Sequence, residues 1–217
     1  RPIFRRFAAP NRRVSRALTV RRFMAITNDR ELRDASRKAG ELLQEIQDYC
    51  GRKLKDDAKV RFPRGYLRTA SSQRERLSFV ADEDLKSNLA YTLILSDTIL
   101  WQLKRTDISG TAKEMLIKLF IFIGGTLIES ITKDYLKGLC GKNFKKRTQY
   151  LVDKGVIDST LQSDIDWIWD TRNNMHLFLL DTKEYENEYN SQSHVRCAKA
   201  FKQLIEKLKA KGRLRAS

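Results

Sequence analysis

An all-α helical bundle is the fold this sequence predicts, on three observations. No proline follows Pro63 in the 217 residues, and proline-free sequence of that length favours helix. Apolar residues recur at alternating three- and four-residue spacings in one segment after another. No run alternates apolar and polar residues as a half-buried strand would. Hydrophobic residues make up 41% of the chain, enough for a substantial core.

The first helix is expected from Asn28 to Gly51. Asn28 is a good N-cap, Glu31 stands at capping-box spacing, and Leu32, Ala35, Ala39, Leu42, Leu43, Ile46 and Tyr49 form an apolar stripe. A polar linker follows from Arg52 to Lys59. Pro63 and Gly65 then break the chain before a short helix. From Ala58 to Arg74 every charge is positive, and Phe62 and Tyr66 are interleaved with Arg61, Arg64 and Arg68. Arginines with aromatics can hold phosphates and stack bases; a solvated loop with its aromatics tucked inward is the alternative.

Asp82 caps a helix expected from Glu83 to Arg105, apolar on much of its circumference and so predicted to be central. A longer helix should run from Gly110 to Lys137 with two apolar stripes. One holds Leu116, Phe120, Ile123, Leu127 and Ile131. The other holds Met115, Leu119, Phe122 and Thr126, and continues into Glu129. Gly124-Gly125 would let a neighbouring backbone approach closely or would kink this helix. Its uncharged run, Leu119 to Ile128, is too short to span a bilayer.

Asn143 caps a short helix with Phe144, Leu151 and Val152 inward, stopped by Gly155. Ser159-Thr160-Leu161-Gln162 reads as a capping box opening the next helix. A last helix runs from Ser191 to Lys211, with Val195, Ala198, Phe201, Leu204, Ile205 and Leu208 inward and a basic end that suits the helix dipole.

The net charge of +16 is unevenly spread. Residues 1–23 hold eight of the 43 basic side chains and no acid, which leaves 35 basic against 27 acidic in the rest. A moderately basic body suits a nucleic-acid partner without proving one. The first 23 residues read as an upstream extension with Met24 the true start, as a basic arm, or as a transit peptide. The expected divisions are this arm, an N-terminal helix with basic linker (24–82), the main bundle (83–211) and a basic tail (212–217).

Cys50, Cys140 and Cys197 are far apart, and His176 and His194 stand at no zinc-ligand spacing with them. Reduced thiols in a cytoplasmic protein are expected, with no membrane association. The sequence has no Gly-rich phosphate loop, no Ser/His/Asp set and no metal-ligand cluster, so no cofactor and no metal are implied. His194 lies in a polar cluster and is expected to be exposed.

The segment of most chemical interest is Asp170-Thr171-Arg172-Asn173-Asn174-Met175-His176-Leu177. On a helical wheel Leu161, Ile165, Ile168, Trp169, Arg172, His176 and Leu179 share one stripe. A cation and an imidazole ending an apolar face need partners, because burying polar groups alone is costly. Catalysis, phosphate binding and a structural ion pair with Glu129 or Asp170 are the readings open on the residues alone.

From residue 83 to 211 the chain resembles the HEPN family of all-α prokaryotic toxins, abortive-infection proteins and RNA-processing factors. The likeness rests on a long helix pair, a short helix ending in Leu-Val-Asp-Lys-Gly-Val-Ile, a helix carrying Trp-Ile-Trp-Asp-Thr-Arg-Asn-Asn-Met-His-Leu, and a closing helix. HEPN ribonucleases carry an arginine, often with asparagine next, and a histidine after four to six intervening residues; here Arg172-Asn173 precede His176 with three between. The resemblance implies metal-independent RNA cleavage at a homodimer interface and suggests a toxin or phage-defence effector with a cognate antitoxin or partner protein. In that reading His176 is the acid–base group, Arg172 binds phosphate, and Asn173 orients it. On one continuous helix Arg172 and His176 would lie side by side. Many HEPN-like domains act instead as RNA-binding or dimerisation modules.

Overall fold

The computed structural model describes residues 25–175 and 189–214, and among these the regular structure is entirely helical. The chain divides into two compact units at Phe62/Pro63.

The described residues of the N-terminal unit form one long helix, α1 (Asp29–Cys50), followed by a 3-10 turn at Asp56–Ala58. Asn28 caps it, its side chain accepting from Glu31 N at 3.0 Å, and the Glu31 carboxylate reaches back to Thr27 N at 2.8 Å. The outer face is laced by Arg37–Glu41 and Gln44–Asp48 contacts, both 2.7 Å. The apolar stripe differs from expectation in what covers it. No residue of α1 is buried; Leu42 is 59% exposed and Tyr49 80%.

The second unit contains α2 (Ala70–Arg76), α3 (Glu83–Arg105), α4 (Gly110–Tyr135), α5 (Phe144–Asp153), α6 (Ser159–Asn173) and α7 (Ser191–Lys211). The expected division at 82/83 falls inside it, because α2 packs on α3 and the turn after α2 buries Leu77, Phe79 and Val80 in the common core. Side-chain oxygens of Thr69, Asp82, Asn143, Asp158 and Asn190 cap these helices. At α6 the cap is Asp158, one residue before the expected Ser159, and it accepts from Leu161 N at 2.8 Å.

The central helix is α4, not α3. It contacts α3, α5, α6 and α7, and buries Ile117, Phe120, Ile121, Ile123, Leu127, Ile128 and Ile131. In length and hydropathy the whole of α4 could cross a bilayer, unlike its uncharged decapeptide alone; here much of it is core. On α3, Tyr91 and Leu95 face outward, at 59% and 49% exposure, while Asp97 is buried. On α7 the buried face is Cys197, Ala200, Leu204, Ile205 and Leu208, and Val195 is 60% exposed instead of inward. Cys197 is so enclosed that desolvation pushes its thiol up to about 12.

Beyond α7 the chain is pinned back. Arg213 donates to Asp134 at 3.0 Å and to the Phe79 carbonyl at 3.4 Å, and the Tyr135 hydroxyl donates to the Gly212 carbonyl. Asp134 also accepts from Ala81 N. The start of the expected basic tail is thus a structural clasp.

Candidate anion site at the α4–α6 contact

Two adjacent glycines set the geometry. A β-carbon on Gly124 would stand 2.8 Å from Cys197 Sγ, and one on Gly125 would stand 2.8 Å from Arg172 Cβ. Successive residues of a helix point about 100° apart, so Gly124 admits α7 and Gly125 admits α6. Close approach, the first of the two roles expected for this pair, is the one they fill.

That approach carries Arg172 onto α4. Its Nη2 lies 3.3 Å from Glu129 Oε2, so Glu129 is its counter-ion. Its Nη1 donates to Asn173 Oδ1 at 2.9 Å, and the guanidinium carbon is 5.9 Å from the centre of the Phe122 ring. Arg172 Nε is buried without a hydrogen-bond partner. A recess of about 300 Å³ opens here, lined among the described residues by Phe122, Arg172, Asn173 and Met175. Next to it, the second stripe of α4 is exposed at Leu119 (42%) and Phe122 (43%).

Asp170, the other possible partner of Arg172, pairs instead with Lys145 of α5 at 2.8 Å. That bond raises the Lys145 pKa. One turn earlier, burial raises the pKa of Asp166 although the Thr148 hydroxyl donates to it at 2.8 Å.

Arg147 is a member of this region that sequence reasoning missed. It is 97% buried, its relative exposure being 3%. Its Nη1 donates to the Glu129 carbonyl at 3.1 Å, while its Nε has no hydrogen-bond partner. Desolvation lowers its pKa, opposed by the nearby Glu129 carboxylate. The sequence did hold a signal: Arg147 falls three residues after Phe144 and four before Leu151, on the inward face of α5. Arg147 thus bonds the Glu129 backbone carbonyl, while the Glu129 carboxylate pairs with Arg172.

The continuous Arg/His helix is not observed. The helix ends at Asn173, with Asn174 as C-cap bonded back to Asp170 O at 3.0 Å. The members of the expected stripe that are described are Leu161, Ile165, Ile168, Trp169 and Arg172, all on α6. His176 lies outside the described residues, as do residues 1–24, most of the 181–190 connection and residues 215–217.

His194 is half-buried instead of exposed. Its ring packs edge-on against Phe120 at 5.0 Å, and its Nε2 is buried without a hydrogen-bond partner. Desolvation lowers its pKa, helped by Lys104 and Lys113.

The arginine–aromatic set is divided. Arg61 belongs to the N-terminal unit, whereas Arg64, Tyr66 and Arg68 belong to the second. Arg64 is exposed and Tyr66 partly buried. Arg68 is engaged by the buried Asp97, side chain to side chain at 3.1 Å and through its backbone N at 3.2 Å. A groove of about 510 Å³ nearby is lined by Arg68, Arg76, Lys202 and Lys209 together with Leu100, Phe120 and Phe201. Arg76, also unforeseen, has its pKa lowered by burial and by its neighbour Arg68, and donates to Gln73 at 2.6 Å.

Among the described residues, no three His, Cys, Asp or Glu side chains converge where a metal ion could sit. The chain matches no protein-family model, no curated protein and no solved structure.

Proposed function

We propose that this chain is a HEPN-like, metal-independent endoribonuclease in which Arg172 binds the scissile phosphate and His176 transfers the proton. The observation that carries the proposal is the state of Arg172. It sits at a recess, held by Glu129 at 3.3 Å and Asn173 at 2.9 Å, with Nε unpaired and Arg147 bonded to the Glu129 backbone carbonyl nearby. A guanidinium so placed presents charge and directed donors to a phosphate. The exposed Leu119 and Phe122 beside it are suited to a second copy of the chain, in keeping with a composite homodimeric site.

In the proposed reaction the ribose 2′-oxygen attacks the adjacent phosphorus while the bond to the 5′-oxygen breaks. The products are a 2′,3′-cyclic phosphate and a 5′-hydroxyl. In the composite site the His176 imidazole of one copy takes the 2′-hydroxyl proton and the imidazolium of the other delivers a proton to the departing 5′-oxygen. Arg172 stabilises the charge that builds on the phosphoryl oxygens.

Expression of the protein is expected to arrest growth, and the purified protein to cut RNA in the presence of EDTA. Arg172→Ala and His176→Ala should each abolish both effects. Cleavage that EDTA stops, or that survives both substitutions, rejects the nuclease reading.

A second reading, a non-catalytic RNA-binding or adaptor module, draws on the Glu129–Arg172 pair, since a guanidinium already neutralised can serve structure alone. It predicts RNA binding that weakens steeply with salt, without cleavage.

A further inference from the structure

The apolar face of α1 has an unusually regular order. Leu32, Ala35, Ala39, Leu42, Ile46 and Tyr49 are spaced three, four, three, four and three residues apart. That is the first-and-fourth seam of a heptad repeat over nearly three heptads. Leu32, Leu42, Ile46 and Tyr49 are 36–80% exposed, and α1 contributes nothing to the buried core. The polar contacts of the helix, Arg37–Glu41 and Gln44–Asp48, lie away from the seam. In proteins most helical stability comes from packing an amphipathic face, and the face of α1 is exposed.

We propose that two copies of this chain pair through α1 as an antiparallel two-stranded coiled coil, with Ala39 of one copy facing Leu42 of the other. In this register every seam position is covered. Ala39 meets Leu42, Ala35 meets Ile46 and Leu32 meets Tyr49, each layer occurring twice by symmetry. Small against large fills the layers without voids. A parallel, in-register pair would instead stack Ala35 on Ala35 and Ala39 on Ala39, leaving two thin layers in succession.

Charge selects the same register. Lys38 and Glu45, both exposed, occupy the position just before the first seam residue of successive heptads. In antiparallel pairs these positions flank each other across the seam. The proposed register sets Lys38 of each copy beside Glu45 of the other. Sliding by one heptad in one direction brings Lys38 against Lys38, and in the other direction Glu45 against Glu45. Like charges at these sites oppose pairing. Lys55, whose ammonium lies 4.1 Å from the Tyr49 ring centre, leaves most of that ring open to the second copy.

Sedimentation equilibrium of the full chain tests this. The wild type should dimerise at tens of micromolar. Lys38→Glu and Glu45→Lys should each weaken the dimer about tenfold, since each reversal turns two attractive pairs repulsive. The combined K38E/E45K chain should return to within about threefold of wild type. Leu42→Glu should weaken pairing by about 100-fold or more, with the thermal transition of the helical core unchanged. Arg172→Ala should leave this pairing intact, which separates it from a dimer built on the α4–α6 face. A wild type monomeric at 100 µM overturns the proposal. So do single reversals without effect, or a double reversal that fails to recover.

Discussion

Gly125 lies directly beneath the Arg172 side chain, so close that any β-carbon there would stand 2.8 Å from Arg172 Cβ and 3.1 Å from its Cγ. The placement of the guanidinium against Glu129 is therefore a property of α4 as much as of α6. Gly125→Ala should push Arg172 off its partner and destabilise the fold by about 1–3 kcal/mol, the usual cost of overpacking. Urea melts would show the loss, and RNA binding should fall with it.

The neighbouring glycine gives a separable test. Gly124→Ala drives a methyl group into Cys197 Sγ at 2.8 Å and should cost a similar ~1–3 kcal/mol. Adding Cys197→Ala removes the obstructing sulfur, so the double variant should be more stable than Gly124→Ala alone. If the two effects simply added in urea melts, the close approach would not be the source of the strain.

Breaking the ion pair should be mild for folding. Arg172 and Glu129 keep 28% and 35% of their side-chain surface exposed. Solvent screening limits such a pair to roughly 0–1 kcal/mol. Glu129→Gln should thus barely move the melting transition, yet it removes the charge that competes with phosphate. RNA should bind more tightly at low salt, as read by fluorescence anisotropy.

The half-buried histidine on α7 sets a pH limit. Burial and the nearby Lys104 and Lys113 hold His194 below the ordinary histidine value of 6.5, so the folded chain favours the neutral ring. Below that value the unfolded chain binds the proton more readily. Stability from this group is therefore complete above pH about 6.5 and is lost as the pH falls towards the folded pKa. Denaturation at pH 7.5 and 5.5 should show the drop, and His194→Phe should flatten it.

The C-terminal clasp is a further target. Asp134 accepts from both Ala81 N and Arg213, and Asp134→Ala strands those donors. A loss of about 1–3 kcal/mol is expected. Limited proteolysis should then cut near residue 212, where the wild type resists.

Much of the architecture is legible in the sequence because helix starts are local chemistry. Asn28, Asp82 and Asn143 each bond the amide three residues on, as their positions imply, and the bounds of α3 and α7 follow from cap and periodicity. What periodicity does not contain is the identity of the neighbour. It marks the stripe of α1 as apolar without saying that its own unit leaves it uncovered, and it makes α3 as plausible a centre as α4. Val195 obeys the inward pattern, yet α7 turns Cys197 and Ala200 towards α4, where Gly124 leaves room.

At the candidate site, Glu129 as a partner of Arg172 could be read from the way it extends an apolar stripe. The end of α6 was readable too. Asn173-Asn174 are weak helix formers that compete for their own backbone, and they outweigh the apolar spacing that runs on to Leu179. Arg147 and His194 were obscured because each is polar at a position whose enclosure depends on a distant segment, α4 in both cases.

The clasp at Asp134 and Tyr135 also bears on how the protein is made. Each precedes the group it holds, Gly212 or Arg213, by nearly 80 residues of chain. Until residues 191–213 have left the ribosome α7 is missing as well, and the Gly124 side of α4 stands open. The five preceding helices of the bundle must wait, with greasy flanks exposed, for that stretch to emerge and latch them.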